Sequence, residues 1–182
     1  MQLKLYRKKF LIAGIQGSGK TFLAKYLAKQ FRALIYSIHH IEWLDTEHIV
    51  IKPTDFVADF PFWCIQAKKL ALAKKINAFI IDEADMLFKH HLDTNKHFTD
   101  LVINHRHYNL AIGMITRRPQ DIPAKYYGTF EFLFLFKIES PQVIDLLNRY
   151  AENLGEMVKS LSYENHEFIV KEIGKNPVKA KI

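Results

Sequence analysis

The sequence predicts an α/β fold: a single domain on a mainly parallel central sheet flanked by helices. Three observations carry this prediction. Phe10-Leu11-Ile12-Ala13 and Ala78-Phe79-Ile80-Ile81 are short, wholly apolar runs, the pattern of strands buried on both faces. Between such runs, apolar residues recur at helical spacing, as at Leu23 and Leu27. The chain has 182 residues, 49% of them hydrophobic and 25% charged, which suits one domain with a sizeable core.

Residues 5–13 read as the first strand, with the basic cluster Tyr6-Arg7-Lys8-Lys9 at its exposed start. Gly14-Ile15-Gln16-Gly17-Ser18-Gly19-Lys20-Thr21 follows and satisfies the G-x-x-x-x-G-K-[ST] pattern of a phosphate-binding P-loop (Walker A) in full. Its glycines let the backbone turn tightly and aim successive N–H groups at phosphate oxygens. Lys20 can reach the β- and γ-phosphates, and the Thr21 hydroxyl can ligate Mg²⁺. A helix over 21–31 adds its positive pole to the same anion site. The stretch therefore points to a nucleoside triphosphate. Gly14, Gln16, Gly17, Ser18, Gly19, Lys20, Thr21 and Phe22 are the candidate contacts.

Residues 33–37 are expected to form the second strand. His39, His40 and Glu42 then make a poor metal motif, because adjacent residues point apart on regular structure. A short extra strand is expected over 48–52, and a helix from Pro61 to about Ile76. The apolar strand at 78–81 ends in Asp82-Glu83, the Walker B arrangement. Asp82 would hold the Mg²⁺ shell, commonly through water, and Glu83 would orient and polarise an attacking water.

Asp93 or Thr94 is placed to cap the next helix, whose apolar face is Phe98, Leu101 and Val102. Residues 110–116 read as a buried strand ending in Arg117-Arg118-Pro119-Gln120. In 130–138, Phe130, Phe132, Phe134 and Phe136 alternate with Leu133 and Leu135, a core stripe. Ser140-Pro141 opens a helix that Gly155 is expected to stop, and 167–171 suits an edge strand. The P-loop domain is expected over 1–174, followed by a basic, mobile tail over 175–182.

Twenty-six basic against nineteen acidic residues give a net charge of +7, which favours a polyanionic partner, nucleic acid first. Cys64 is the only cysteine, which excludes an intramolecular disulfide and a cysteine-rich zinc site. No apolar run approaches the ~20 residues of a membrane span. With no secretory signal at Met1-Gln2-Leu3-Lys4-Leu5, a cytoplasmic location is expected.

The order of motifs resembles the FtsK–HerA superfamily of ring-forming ATPases that pump double-stranded DNA. The motifs are a P-loop, a strand ending in Asp-Glu, a helix leading to Arg106, and a strand ending in Thr-x-Arg-Pro. The likeness runs from about Lys8 to Val170. It is most specific over 106–119, close to that family's Arg…Gly-x-x-Leu…Thr-Gln-Arg-Pro segment. Asn109 stands where the family tends to have glycine, a mild change because asparagine tolerates left-handed backbone geometry. Arg117 stands where the family usually has a glutamine sensor. Either Arg117 takes that role as a cation, or it falls to Thr116 or Gln120.

This resemblance implies a RecA-like, additional-strand (ASCE) P-loop NTPase, with the strand over 110–116 between the strands carrying the two Walker motifs. It implies ATP and Mg²⁺ as cofactors, with Thr21 and Asp82 toward the metal and Lys20, Glu83, Arg106 and Arg117 as the catalytic set. It also implies self-association into a ring, usually a hexamer. There Arg106 matches the arginine finger that reaches a neighbour's site and contributes about 10³–10⁵ in rate; Arg117 and Arg118 compete for the role. The compact chain is most like the viral and phage genome-packaging members, whose partners would be double-stranded DNA and a capsid or portal protein. Two other readings stand beside this one. A small P-loop nucleoside or small-molecule kinase would use Arg117-Arg118 in a lid, although Asp82-Glu83 suits water activation better. An AAA+-like, nucleotide-switched loader would carry a carboxy-terminal helical lid that the pattern does not show.

Overall fold

Among the described residues, eight strands form one sheet in the order β3-β2-β4-β5-β1-β6-β7-β8. The computed structural model describes residues 3–43, 47–91 and 94–182. The strands are β1 (Lys9–Ala13), β2 (Ala33–Tyr36), β3 (Ile49–Ile51), β4 (Ala78–Ile81), β5 (Ala111–Thr116), β6 (Phe132–Phe136), β7 (Glu167–Glu172) and β8 (Val178–Lys181). The helices are α1 (Lys20–Ala28), α2 (Phe60–Leu72), α3 (Asp85–Lys89), α4 (Lys96–Asn104), α5 (Ala124–Tyr127), α6 (Pro141–Tyr150) and α7 (Leu154–Lys159). Strands β1 to β6 pair in parallel, and β7 and β8 extend the sheet antiparallel. The fold is thus the α/β class expected, with β5 between β4 and β1.

Alternation along each strand divides the core into two layers. On one face Leu11, Leu34, Phe79, Ile112 and Leu133 pack with buried residues of α2, α4, α6 and α7. On the other, Phe10, Ile12, Ile35, Ile80 and Phe134 pack beneath Leu23 and Leu27 of α1. The aromatic stripe is core as expected but does not share one face: Phe132, Phe134 and Phe136 face the α1 layer, whereas Phe130, ahead of β6, packs in the other layer with Leu133 and Leu135. Gly113 is required where β5 crosses under the ring of Phe10. A Cβ there would lie 2.4 Å from Phe10 Cζ and 2.6 Å from Cε2. Phe10 is fully buried and has nowhere to move. Gly113→Ala is therefore expected to destabilise the fold by about 1–3 kcal/mol, read as a lower denaturation midpoint at unchanged slope; an unchanged midpoint would show that this layer can give.

Register places the site. Ala13 of β1 pairs with Thr116 of β5 and with Leu135 of β6, and Ile81 of β4 pairs with Met114. The P-loop, Asp82 and Arg117 therefore all leave the sheet at its carboxyl edge, where open parallel sheets bind ligands.

Several expected boundaries shift for local reasons. Residues 5–8 are a turn, closed by the Lys8 N–H on Leu5 O at 3.0 Å with Arg7 at φ 56°, so β1 starts at Lys9. The cap of α4 is Asn95, whose Oδ1 accepts from the N–H of His97 at 2.9 Å and of Phe98 at 3.4 Å. Thr94 instead donates to His91 O, and Asp93 lies outside the described residues. Gly155 does not stop α6, which ends at Tyr150; it sits inside α7, where a Cβ would be 2.3 Å from Ile144 O. Its role is close helix packing.

The expected mobile tail corrects most. Residues 178–181 pair with β7 through Phe168↔Ala180 and Ile169↔Lys179, and Lys179 Nζ reaches Glu167 Oε1 at 2.8 Å. The edge strand is β8, and β7 lies inside it. Among the described residues no helix is long and apolar enough to cross a membrane.

Candidate nucleotide site

The P-loop is built by its neighbours as much as by its glycines. The Gly14 N–H donates to Thr116 O at 3.3 Å and the Ile15 N–H to Lys137 O at 3.2 Å, which ties the loop to β5 and to the chain after β6. Gly17 and Gly19 adopt φ 75° and 100°, the left-handed region open to glycine. Helix α1 starts directly behind, at Lys20. Ser18 Oγ is buried without a hydrogen-bond partner inside the loop, beside Gly14 and facing away from the cavity.

In front of the loop is a cavity of about 380 Å³. Its lining brings together Gln16, Gly17, Lys20 and Thr21 from the loop and Asp82, Glu83 and Arg117 from β4 and β5. Lys20 Nζ folds back onto Ile15 O at 2.6 Å. Burial pushes its ammonium pKa down to about 8, against the pull of Glu83 and Asp82.

Asp82 is buried. Its Oδ2 accepts from Ser37 Oγ at 3.0 Å and Trp43 Nε1 at 3.3 Å, and its Oδ1 accepts the Glu83 N–H at 3.1 Å. Burial raises its pKa, and these three donors oppose the shift. Glu83 sits at φ 56°, a left-handed conformation that costs a non-glycine residue of order 1–3 kcal/mol and persists where the surroundings enforce it. Its Oε2 lies 3.1 Å from Arg117 Nε, and its Oε1 lies 3.8 Å from His39 Nε2. The Arg117 contact is an ion pair lacking hydrogen-bond alignment, since Glu83 Oε2 has no such bond. Burial, then Asp82, raises the Glu83 pKa, and Arg117 opposes this.

Of the three sensor candidates, only Arg117 faces Glu83. Thr116 Oγ1 donates to the buried Asp85 at 2.8 Å and accepts the Arg118 N–H at 3.0 Å, so its hydroxyl is committed to the fold. Gln120 is exposed in the turn beyond Pro119. Arg106 is not in this cavity. It precedes β5 at the opposite edge of the sheet, roughly 17–20 Å away along the strand. There its Nη2 pairs with Glu131 Oε1. Asn109, beside it, adopts φ 55°, the left-handed geometry a glycine would take.

Four contributors carry no motif. Ser37 and Trp43 hold Asp82, His39 faces Glu83, and Tyr163 Oη donates to Gln16 O at 3.1 Å from 147 residues away. Ser37 was reachable by strand order: Tyr36 pairs with Ile81, so the next residues, Ser37 and Asp82, emerge side by side.

Strand, glycine loop and helix, with β5 inserted beside β1, define a P-loop NTPase domain. The chain belongs to the AAA family (ATPase family associated with various cellular activities), whose family model matches residues 10–138. Among solved structures, it is similar to the genome packaging NTPase B204 from Sulfolobus turreted icosahedral virus 2 in complex with ATP-gammaS. That match has TM-score 0.78 and 20% identity over 96% of this chain and 97% of that one. B204, the DNA-packaging ATPase from Sulfolobus turreted icosahedral virus, matches with TM-score 0.80 and 18% identity over 98% of each chain. The cytoplasmic domain of the Thermomonospora curvata type VII secretion ATPase EccC matches with TM-score 0.71 and 12% identity over 95% of this chain and 25% of that one. No curated protein sequence matches the chain. The likeness to these structures is one of fold, and the chain after β6 forms α6, α7 and the β7–β8 hairpin that continues the same sheet.

Proposed function

We propose that the protein is an ATP-hydrolysing double-stranded DNA translocase of the genome-packaging type. The observation that carries this reading is the convergence of Lys20, Glu83 and Arg117 on one cavity, at the carboxyl edge of β1, β4 and β5. Such a set suits transfer of a phosphoryl group to water. Lys20 turns from Ile15 O to the β- and γ-phosphates, Glu83 takes the proton of the attacking water, and Arg117 moves from Glu83 to the γ-phosphate. The donors also fit Mg²⁺, which needs only one or two protein oxygens beside substrate phosphates and waters. Thr21 and Asp82 would hold it, and it supplies charge neutralisation on the phosphates when bound. Arg106 serves a neighbouring subunit, since its own site lies at the far edge of the sheet. That role requires a ring, for which a hexamer is the expectation, and a capsid or portal protein is its docking partner. The net charge of +7 supports a duplex held at its phosphates.

The test is ATP turnover with and without long duplex DNA over a series of salt concentrations, alongside particle mass. Stimulation that fades with salt in a multi-subunit particle is the expected result. Turnover indifferent to DNA at every salt concentration would remove the translocase, and phosphate transfer to a nucleoside would select a kinase.

Lys20 adds a pH signature. Burial lowers its pKa to about 8, and a bound triphosphate would hold the proton on. Binding is therefore expected to be strongest below about pH 8 and to weaken by up to tenfold per unit above it, with about one proton taken up near pH 9. Calorimetry in buffers of different ionisation enthalpy reads that uptake directly; none at pH 9 would place Lys20 away from the phosphates.

A further inference from the structure

We infer that the cleft between the start of α1 and the C-terminal hairpin is a nucleobase slot, one that grips a base by its faces and does not read its edges. The inference rests on the phosphate-site reading above and extends it to the other end of the nucleotide. Sheet order sets the direction. Asp82, Glu83 and Arg117 leave β4 and β5, on one side of β1, and mark the γ-phosphate end. The nucleoside leaves the P-loop toward the other side of β1, where β6, β7 and β8 follow.

A cleft of about 430 Å³ opens there, walled by Phe22, Leu23, Tyr26, Phe168, Val170 and Ile182. It abuts the P-loop at Ile182. A Cβ on Gly19 would lie 2.9 Å from Ile182 Cδ1, and one on Gly17 would lie 2.3 Å from Tyr163 Oη. The C-terminal residues thus press directly on the loop, and the hydrogen bond from Tyr163 to Gln16 O pins it on that side. Phe22, one residue beyond Thr21, is 62% exposed. An aromatic ring left in water beside a phosphate site is a stacking surface for the base attached to those phosphates. No carboxylate or amide side chain of the described residues lines the cleft, and Lys181 is its one charged member. A site that reads a base edge by hydrogen bonds rejects the wrong base by 10⁴–10⁵, whereas one that grips by contact separates analogues by only about 10–200-fold.

The test titrates the full chain with ATP, GTP and inorganic tripolyphosphate by calorimetry. Phe22→Ala is expected to weaken both nucleotides by about tenfold and leave tripolyphosphate unchanged, and Phe22→Trp to restore nucleotide affinity. Wild-type affinities for ATP and GTP are expected to agree within about tenfold. Phe22 is exposed, so these variants are expected to fold, and tripolyphosphate binding itself reports an intact loop. Equal losses for tripolyphosphate and nucleotides, or no loss for either, would overturn the slot. So would a thousandfold preference for one purine, or nucleotides that bind the wild type no tighter than tripolyphosphate, and in those cases the phosphate site stands. A wild-type chain that binds none of the three would overturn the slot and the nucleotide reading together.

Discussion

Glu83→Gln is expected to leave ATP bound and to lower its turnover by about 10²-fold or more. Glutamine keeps the shape of the side chain but cannot take a proton from water. The environment of Glu83 is arranged for that task. Burial, then the neighbouring Asp82, raises its proton affinity, and the left-handed backbone at φ 56° holds it there although a non-glycine residue disfavours that geometry. The carboxylate is engaged by Arg117, 3.1 Å away. On the proposed mechanism a base so paired stays weak until the guanidinium has a better anion to hold, and the γ-phosphate would be that anion. Removing one negative charge from the cavity should also strengthen the binding of a polyanionic nucleotide slightly. Equilibrium binding and single-turnover hydrolysis measured on the same preparation check both halves. A variant that binds ATP and keeps more than half of the wild-type rate would remove Glu83 from the chemistry.

The parts legible in the sequence were those in which a few adjacent residues carry the physics. The P-loop and Asp82-Glu83 are short, local and chemically specific, and the apolar strands before them are unmistakable in a parallel sheet. The parts that were not legible depend on distant pairing. Val178-Lys179-Ala180-Lys181 has only four residues, two of them lysines, and reads as a solvated tail until β7 supplies its hydrogen bonds. Gly155 looks like a helix stop because glycine is a poor helix former, yet here α7 needs it for close approach to Ile144. Tyr163, ahead of β7, and Ile182, after β8, reach the P-loop only because the chain returns to it there, and no spacing rule spans 147 residues. Arg117 was visible as an arginine at the end of β5, but its ion pair with Glu83 followed only from the order β4-β5-β1.

Arg106→Ala is expected to lower DNA-stimulated turnover by about 10³-fold or more while leaving the affinity of a subunit for ATP unchanged. The second half follows from position: Arg106 lies before β5, at the edge of the sheet opposite its own P-loop, so on the proposed ring reading its target would belong to a neighbour. The substitution also has a structural side. Arg106 pairs with Glu131, which is buried at 7% exposure, accepts the Lys9 N–H at 2.6 Å and lies 3.6 Å from Lys8 Nζ. Although burial pushes the Glu131 pKa up, the Lys9 N–H, Arg106 and Lys8 together hold it below the usual value. Losing the guanidinium therefore also disturbs a buried carboxylate. Arg106→Lys separates the two effects, because lysine keeps a cation beside Glu131 but lacks the planar fork that spans phosphoryl oxygens. It is expected to melt near the wild type and to remain nearly as slow as the alanine variant. Mixed particles then decide the trans assignment. An Arg106→Ala subunit retains a complete Glu83 site, and a Glu83→Gln subunit retains a working Arg106. Wherever the second presents its arginine to the first, hydrolysis should return, although neither variant is active alone. Mixed particles of ring mass that stay inactive would take the finger away from Arg106 and leave Arg118, exposed beside the nucleotide cavity, as the next residue to substitute.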